Sequence, residues 1–499
     1  MGIIQRQALL NTIVNYLGII IGFVNVVILF PLFLSQEEFG LTRLVLSLAT
    51  TMAQLSSFGV HRIAIKFFPV FRKETHKNNG LLSLLLIISS AGFIIVTAIY
   101  LLFKPMIIQF YSDDSALFSN YYSWIPLVTF GFLLFLVFES FLQALRKTVF
   151  TNLLRNVIIR IYWLIAILFY YYGFCTFFQF MLIYMMGYFL TAALCVIELM
   201  KSGEFVFDTN PNFYKKRILK PLLNYGTYSI LSGVTLILVI NVDLLMIGAL
   251  LPENKLESVG IYAIATYIVS IIYIPANALS RISAPIVAYD WKHKNLQNIA
   301  DFYKKSSVIL AFLGMLLFGC IAINIDNLLA LMKPEFIQAK YIILTLGLAR
   351  IFDMASGLNL VILTVTRFYR SEALLAVLLL VLVIITNLIF IPIYGIYGAA
   401  IGTAAVFLVF NVIVFIYIWK KLKMQPYSWA TFIMLLTGFI VGVIIYFIPF
   451  TLGNKIILIS LKSSIFVLLY SLPIYYFKIS LDINSFINKY LPDGIWKKY

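Results

Sequence analysis

Residues 372–419 read EALLAVLLLVLVIITNLIFIPIYGIYGAAIGTAAVFLVFNVIVFIYIW, and after Glu372 no charged residue appears until Lys420. A helix needs about 20 apolar residues to cross a bilayer core. The stretch is therefore two passes, 372–392 and 395–419, turning at Tyr394-Gly395. Arg367 and Arg370 precede it, and Lys420, Lys421 and Lys423 follow it, while the turn carries no basic residue. Cytoplasmic loops keep Lys and Arg and exported loops lose them, so this hairpin starts and ends in the cytoplasm.

The same reading extends outward to fourteen passes, near 8–34, 39–68, 80–103, 117–145, 150–172, 175–200, 221–250, 258–288, 302–324, 337–366, 372–392, 395–419, 428–449 and 455–477. Of the 37 Lys and Arg, 24 fall in breaks assigned to the inside. Only six fall outside: Lys104, Lys255, Lys333, Lys340, Lys455 and Lys462. Both termini are expected in the cytoplasm. The net charge of +17 is then mostly topogenic charge facing an anionic leaflet. No basic stripe on a soluble fold suggests nucleic acid.

Composition narrows the class further. Hydrophobic residues reach 62% and charged residues only 11%, against about 45–50% and 25% in soluble domains. The runs are too long and continuous for barrel strands, and the first is too long for the apolar region of a cleavable signal. Cys175, Cys195 and Cys320 have no zinc or redox spacing, and His61, His76 and His293 are scattered. No phosphate loop, nucleophile elbow or metal-ligand pair appears. No cofactor or metal is expected, and transport is favoured over catalysis.

The chain looks duplicated. Phe39-Gly40-Leu41 matches Val259-Gly260-Ile261, Arg62 matches Arg281, Arg146 matches Arg367, and Tyr172-Gly173 matches Tyr394-Gly395. The offset stays close to 221 residues throughout. Six passes per copy is an even number, so both copies point the same way, as in parallel-repeat transporters. The expected organisation is all-α and membrane-spanning. It comprises a six-helix lobe over 1–200, a cytoplasmic linker over 201–220, a second lobe over 221–425, two additional passes over 426–480 and a cytoplasmic tail over 481–499.

Three segments carry a resemblance. They are Pro31-Leu-Phe-Leu-Ser-Gln-Glu-Glu-Phe-Gly40, Asp243-Leu-Leu-Met-Ile-Gly248 with Val259-Gly260-Ile261-Tyr262, and Tyr394-Gly-Ile-Tyr-Gly-Ala-Ala-Ile-Gly402. In this order, over roughly residues 5–480, the chain resembles the multidrug/oligosaccharidyl-lipid/polysaccharide (MOP) exporter superfamily. Within it, the likeness is to bacterial flippases of lipid-linked O-antigen or exopolysaccharide units. The resemblance implies a MATE-like fold of two six-helix lobes around a cavity that opens alternately to each side. It also implies an inner-membrane location.

Ionisable residues inside the passes are the candidate site, because each costs about 2.5–3.5 kcal/mol at the bilayer centre unless it faces water or a partner. Arg160 and Arg350 lie near the middle of the fifth and tenth passes. Arg62 and Arg281 are repeat mates, Arg155 is shallower in the fifth pass, and Arg43 lies near the outer end of the second. One reading is a cationic lumen, since guanidinium stays charged and grips phosphate oxygens bidentately. The other is snorkelling to a headgroup layer. Asp353 stands three residues from Arg350, so the two can neutralise each other on one helix face. Asp243 can serve a coupling proton or sodium ion, or orient an arginine, and Glu139 can partner a nearby base. Asn11, Asn15, Gly18, Gly22 and Asn25 share one face of the first pass. They either line a hydrophilic lumen or pack helix on helix, because Gly18 and Gly22 form a G-x-x-x-G.

Six intramembrane arginines against three acids favour a flippase for an undecaprenyl-diphosphate-linked oligosaccharide. Its partners would be that lipid-linked sugar, membrane lipids and the polysaccharide polymerase machinery. A lipid II flippase and a multidrug/cation antiporter share the fold. An integral-membrane glycan polymerase or acyltransferase is the rival from another class, and the lack of a large exported loop weighs against it. The charge pattern makes one direct prediction. Alkaline phosphatase fused after Lys255 should be active and a fusion after Lys478 inactive; activity in the second fusion would reverse the assigned topology.

Overall fold

The acidic turn after Pro31 is a helix start. Ser35 Oγ accepts a hydrogen bond from the Glu38 N–H (3.2 Å), and the Glu38 carboxylate accepts one from the Ser35 N–H (2.8 Å). This reciprocal capping box satisfies two donors that a helix end otherwise leaves bare. Thr176 and Gln179 build the same device at the start of the sixth pass.

The structure is a computed structural model that describes residues 3–71, 80–111, 116–206, 235, 238–450, 453–480 and 483–484. All regular structure among them is helical. Helix α1 (Ile3–Phe23) runs through a π turn at Val24–Leu29 into Phe30–Phe33. Then come α2 (Gln36–Ser56), α3 (Val60–Phe71), α4 (Leu81–Leu102) and α5 (Ile125–Ala144). The fifth pass enters through Thr148–Leu153 and a second π turn, Leu154–Ile158, to become α6 (Ile159–Tyr171), followed by α7 (Phe177–Lys201). Beyond these lie α8 (Leu238–Leu250), α9 (Lys255–Ile272), α10 (Ile274–Lys292) and α11 (Leu296–Ile323). The last six are α12 (Ala339–Ala355), α13 (Asn359–Val365), α14 (Tyr369–Tyr394), α15 (Ile396–Leu422), α16 (Trp429–Phe447) and α17 (Lys455–Tyr476).

Among the described residues, eleven helical stretches are long and apolar enough to cross a bilayer, or twelve when α12 and α13, bent by 54°, count as one. Each of the fourteen expected passes is mainly helical over its described residues. The seventh is described only at 235 and 238–250, the 201–220 linker only through residue 206, and the 481–499 tail only at 483–484. Among described helices of 18 or more residues, α2 and α10 are the two that fall short on apolarity.

The described residues form two compact units. The first takes 1–263 and 376–395; the second takes 264–375 and 396–499. In the first, α5 packs on α7 and α2, and Phe30, Phe39, Phe180 and Tyr184 meet edge to face or stacked. In the second, α11 packs against α12 and α16, and the rings of Phe312, Phe466 and Tyr470 stack in series. The thirteenth and fourteenth passes thus pack on α11 and belong to that unit's core.

Two landmarks of the duplication have a physical cause. Gly173 and Gly395 each follow a helix with positive φ, 75° and 61°, a left-handed cap that glycine adopts at no steric cost. Gly40 and Gly260, matched landmarks 220 residues apart, are themselves in contact within the first unit. A Cβ on Gly260 would stand 3.0 Å from the Phe39 ring and 3.3 Å from the Gly40 nitrogen, and one on Gly40 would run into the Leu256 carbonyl. Overpacking of this kind costs about 1–3 kcal/mol. Gly40→Ala should lower the thermal unfolding midpoint of the purified protein, and Gly260→Ala should lower it less. Midpoints equal to the parent's in both would refute the contact.

Candidate functional site

The asparagines of α1 bond across to the fifth pass. Asn152 donates to Asn11 Oδ1 (2.7 Å), Asn156 donates to Asn15 Oδ1 (3.0 Å), and Asn11 donates to Thr148 Oγ1 (3.3 Å). Asn156 also covers Gly18 so closely that a Cβ there would overlap it. Farther along, the Arg160 guanidinium donates to the Gly18 carbonyl, and the Asn25 amide donates to the Arg160 carbonyl (2.7 Å). Two helices are thus riveted by polar side chains, a mode that suits a bilayer where apolar contact drives little association. Asn25 and the stretch preceding Arg160 each sit on a π turn, a local widening that often marks functional sites. The partners Asn152 and Asn156 escaped the sequence reading. Thr148, Asn152, Asn156 and Arg160 recur every fourth residue, and that spacing was their signal.

The arginines fall into three environments. Arg155 and Arg350 have carboxylates. Arg155 Nε donates to Glu139 Oε1 (2.8 Å) and its Nη2 to Oε2, while Gln143 adds a bond to Oε1 (3.2 Å). The Glu139 side chain is 1% exposed, so the half-exposed Arg155 is what makes its burial tolerable. Arg350 lies 3.3 Å from Asp353, which also accepts from Asn411 (3.2 Å). The same guanidinium lies 4.4 Å from the Phe407 ring centroid and 5.1 Å from that of Tyr273, a favourable cation–π geometry.

Arg43 is the second kind. Its guanidinium carbon lies 5.3 Å from the Phe30 centroid and 5.0 Å from the Phe39 centroid. Nε and Nη2 are buried without a hydrogen-bond partner among the described residues. Arg281 is the third kind. It is exposed on α10, on the face that also exposes Asn277, Pro285 and Tyr289, and no described residue partners it. The Arg62 side chain lies outside the described residues.

Asp243 on α8 is buried, and accepts from the Tyr262 hydroxyl (2.6 Å) and the Asn387 amide (2.7 Å). Asn387 Oδ1 is buried with no hydrogen-bond partner among the described residues.

Several solved structures share this fold. One is described as the lipid II flippase MurJ in an inward closed conformation; it is 15% identical, covers 94% of this chain and 99% of its own, and superposes with a TM-score of 0.73. An inward-facing multidrug resistance MATE family transporter of the MOP superfamily gives 12% identity, 83% and 94% coverage, and a TM-score of 0.61. A MOP superfamily transporter from Pyrococcus furiosus, described as having a binding pocket of reverse polarity, gives 14%, 84% and 94%, and 0.54. At these identities the likeness is one of fold. No curated protein matches the chain. A family model described as polysaccharide biosynthesis protein matches residues 4–288, more than half of the 499. The chain is a multi-pass membrane protein of that polysaccharide biosynthesis family, within the MOP superfamily of flippases and transporters.

Proposed function

We propose that the protein flips an undecaprenyl-diphosphate-linked oligosaccharide from the cytoplasmic to the outer leaflet of the bacterial inner membrane, by alternating access. The observation that carries this is Arg281, an exposed guanidinium with no described partner, on one of the two long helices too polar to sit comfortably in lipid. The other is α2. A helix of that kind needs a wet side, and arginine on it offers a planar fork to a diphosphate. Arg160 and Arg350 would supply further positive charge along the path. An inside-negative potential favours outward movement of an anion by about 2.3 kcal/mol per charge per 100 mV, so the cycle requires no nucleotide.

The drug/cation antiporter reading needs a free acid in the N-terminal lobe, 1–200, and the one intramembrane acid expected there, Glu139, is held by Arg155 and Gln143. A lipid II flippase needs the same cationic path and differs only in the sugar. Asp243, beside the unpartnered Asn387 Oδ1, is the candidate seat for a coupling proton or sodium ion.

Replacing Arg281 with Ala should cut surface polysaccharide in cells that depend on this protein by about tenfold or more, since a hydrogen bond to a charged group contributes about 1.5–3 kcal/mol. Arg281→Lys should retain part of the activity, and Arg350→Ala should also fall. Immunoblots must show each variant at parental level in the membrane. Full surface glycan with Arg281→Ala would remove the cationic path from the mechanism.

A further inference from the structure

A second basic site is lined by none of the candidate residues above. At the lysine-rich end of the second unit, a hollow of about 860 Å³ opens among the start of α11, the connection into α16 and the residue Ser480 that follows α17. That volume lies within the roughly 300–1,000 Å³ of small-ligand sites. Lys304 and Lys305 line it from α11, and Tyr427, Ser428 and Trp429 line it from the other side. Both lysines are exposed, and no described residue partners Lys304. Two lysines against the one acid in the lining, Asp301, leave the lining with a net positive charge. The first residues of α16, Trp429 and Ala430, also line it, and the positive end of that helix dipole adds to the lysines.

The surroundings say what kind of anion fits. Trp429 is 79% exposed at the rim, where an indole suits the level of lipid headgroups. From it a stripe of exposed apolar side chains runs along α16 through Phe432, Leu436, Phe439 and Val443. The head of the ligand is thus offered cations, and its tail an uncovered apolar face. Basic pockets between membrane helices at such a level bind phosphate headgroups.

We infer that this hollow holds the phosphodiester headgroup of an anionic phospholipid, with its acyl chains along α16. The lipid is a resident of the protein and not its cargo, so the inference stands or falls apart from the proposed transport. Lys304 and Lys305 contact the phosphate; the Tyr427 hydroxyl is engaged with Ser356 (3.1 Å) and Ser428 Oγ caps α16 through the Thr431 N–H (3.2 Å).

The test uses the full chain, purified and reconstituted in nanodiscs, with bound lipid read by native mass spectrometry. Phosphatidylglycerol should be retained over phosphatidylcholine. The double variant Lys304→Gln, Lys305→Gln should lose that preference by about tenfold, and Ala430→Trp, which fills the hollow and leaves both lysines, should lose it as well. Lys420→Gln with Lys421→Gln, at the end of α15 and outside the lining, should not. Unfolding midpoints establish that each variant is folded. Equal losses in the α15 control would reduce the effect to general surface charge and overturn the site. So would retention by both pocket variants. Competition by soluble glycerol phosphate at concentrations comparable to the lipid would assign the hollow to a free phosphate compound and overturn the lipid.

Discussion

A guanidinium inside hydrocarbon has no water to bond, so its N–H groups must find acceptors, ring faces or an aqueous opening within the protein. The internal arrangement described above follows from that constraint. Glu139 and Asp353 answer it with carboxylates for Arg155 and Arg350. The Gly18 carbonyl answers it for Arg160, and the Phe30 and Phe39 rings answer it for Arg43. Arg281 has none of these answers among the described residues, and that is why function is argued from it. A guanidinium without such a partner is the one most open to something that arrives.

The passes were legible because hydrocarbon filters sequence harshly: a stretch such as 373–394 has few alternatives to a spanning helix. The capping box at Ser35 was legible in part, since the acidic turn into Gly40 was visible as a motif before its hydrogen bonds were known; the one at Thr176 went unread. The bend between α12 and α13 was not read from the sequence, although Ser356-Gly357 stands where it falls within the tenth pass. Nor were the π turns, which depend on how neighbouring backbones are satisfied and leave no fixed residue pattern.

The site was read less completely than the fold. Periodicity put Asn11, Asn15 and Asn25 on one face of the first pass, but a face has no label for what it meets. Lumen and neighbouring helix call for the same amides. Coordinates were needed to show Asn152 and Asn156 opposite them. The Arg350–Asp353 pair was foreseen from a spacing of three, whereas its two aromatic neighbours come from distant segments that no local pattern links.

The abutting glycines at 40 and 260 bear on how such a chain can change over evolutionary time. After a gene duplicates within itself, one half is ordinarily released to drift while the other preserves the original role. Here each half serves as the mould for its twin at this spot. A methyl group at 40 would run into the Leu256 carbonyl and one at 260 would press on the Phe39 ring, so a substitution on one side is judged by the shape of the other. Each segment is the other's selective environment.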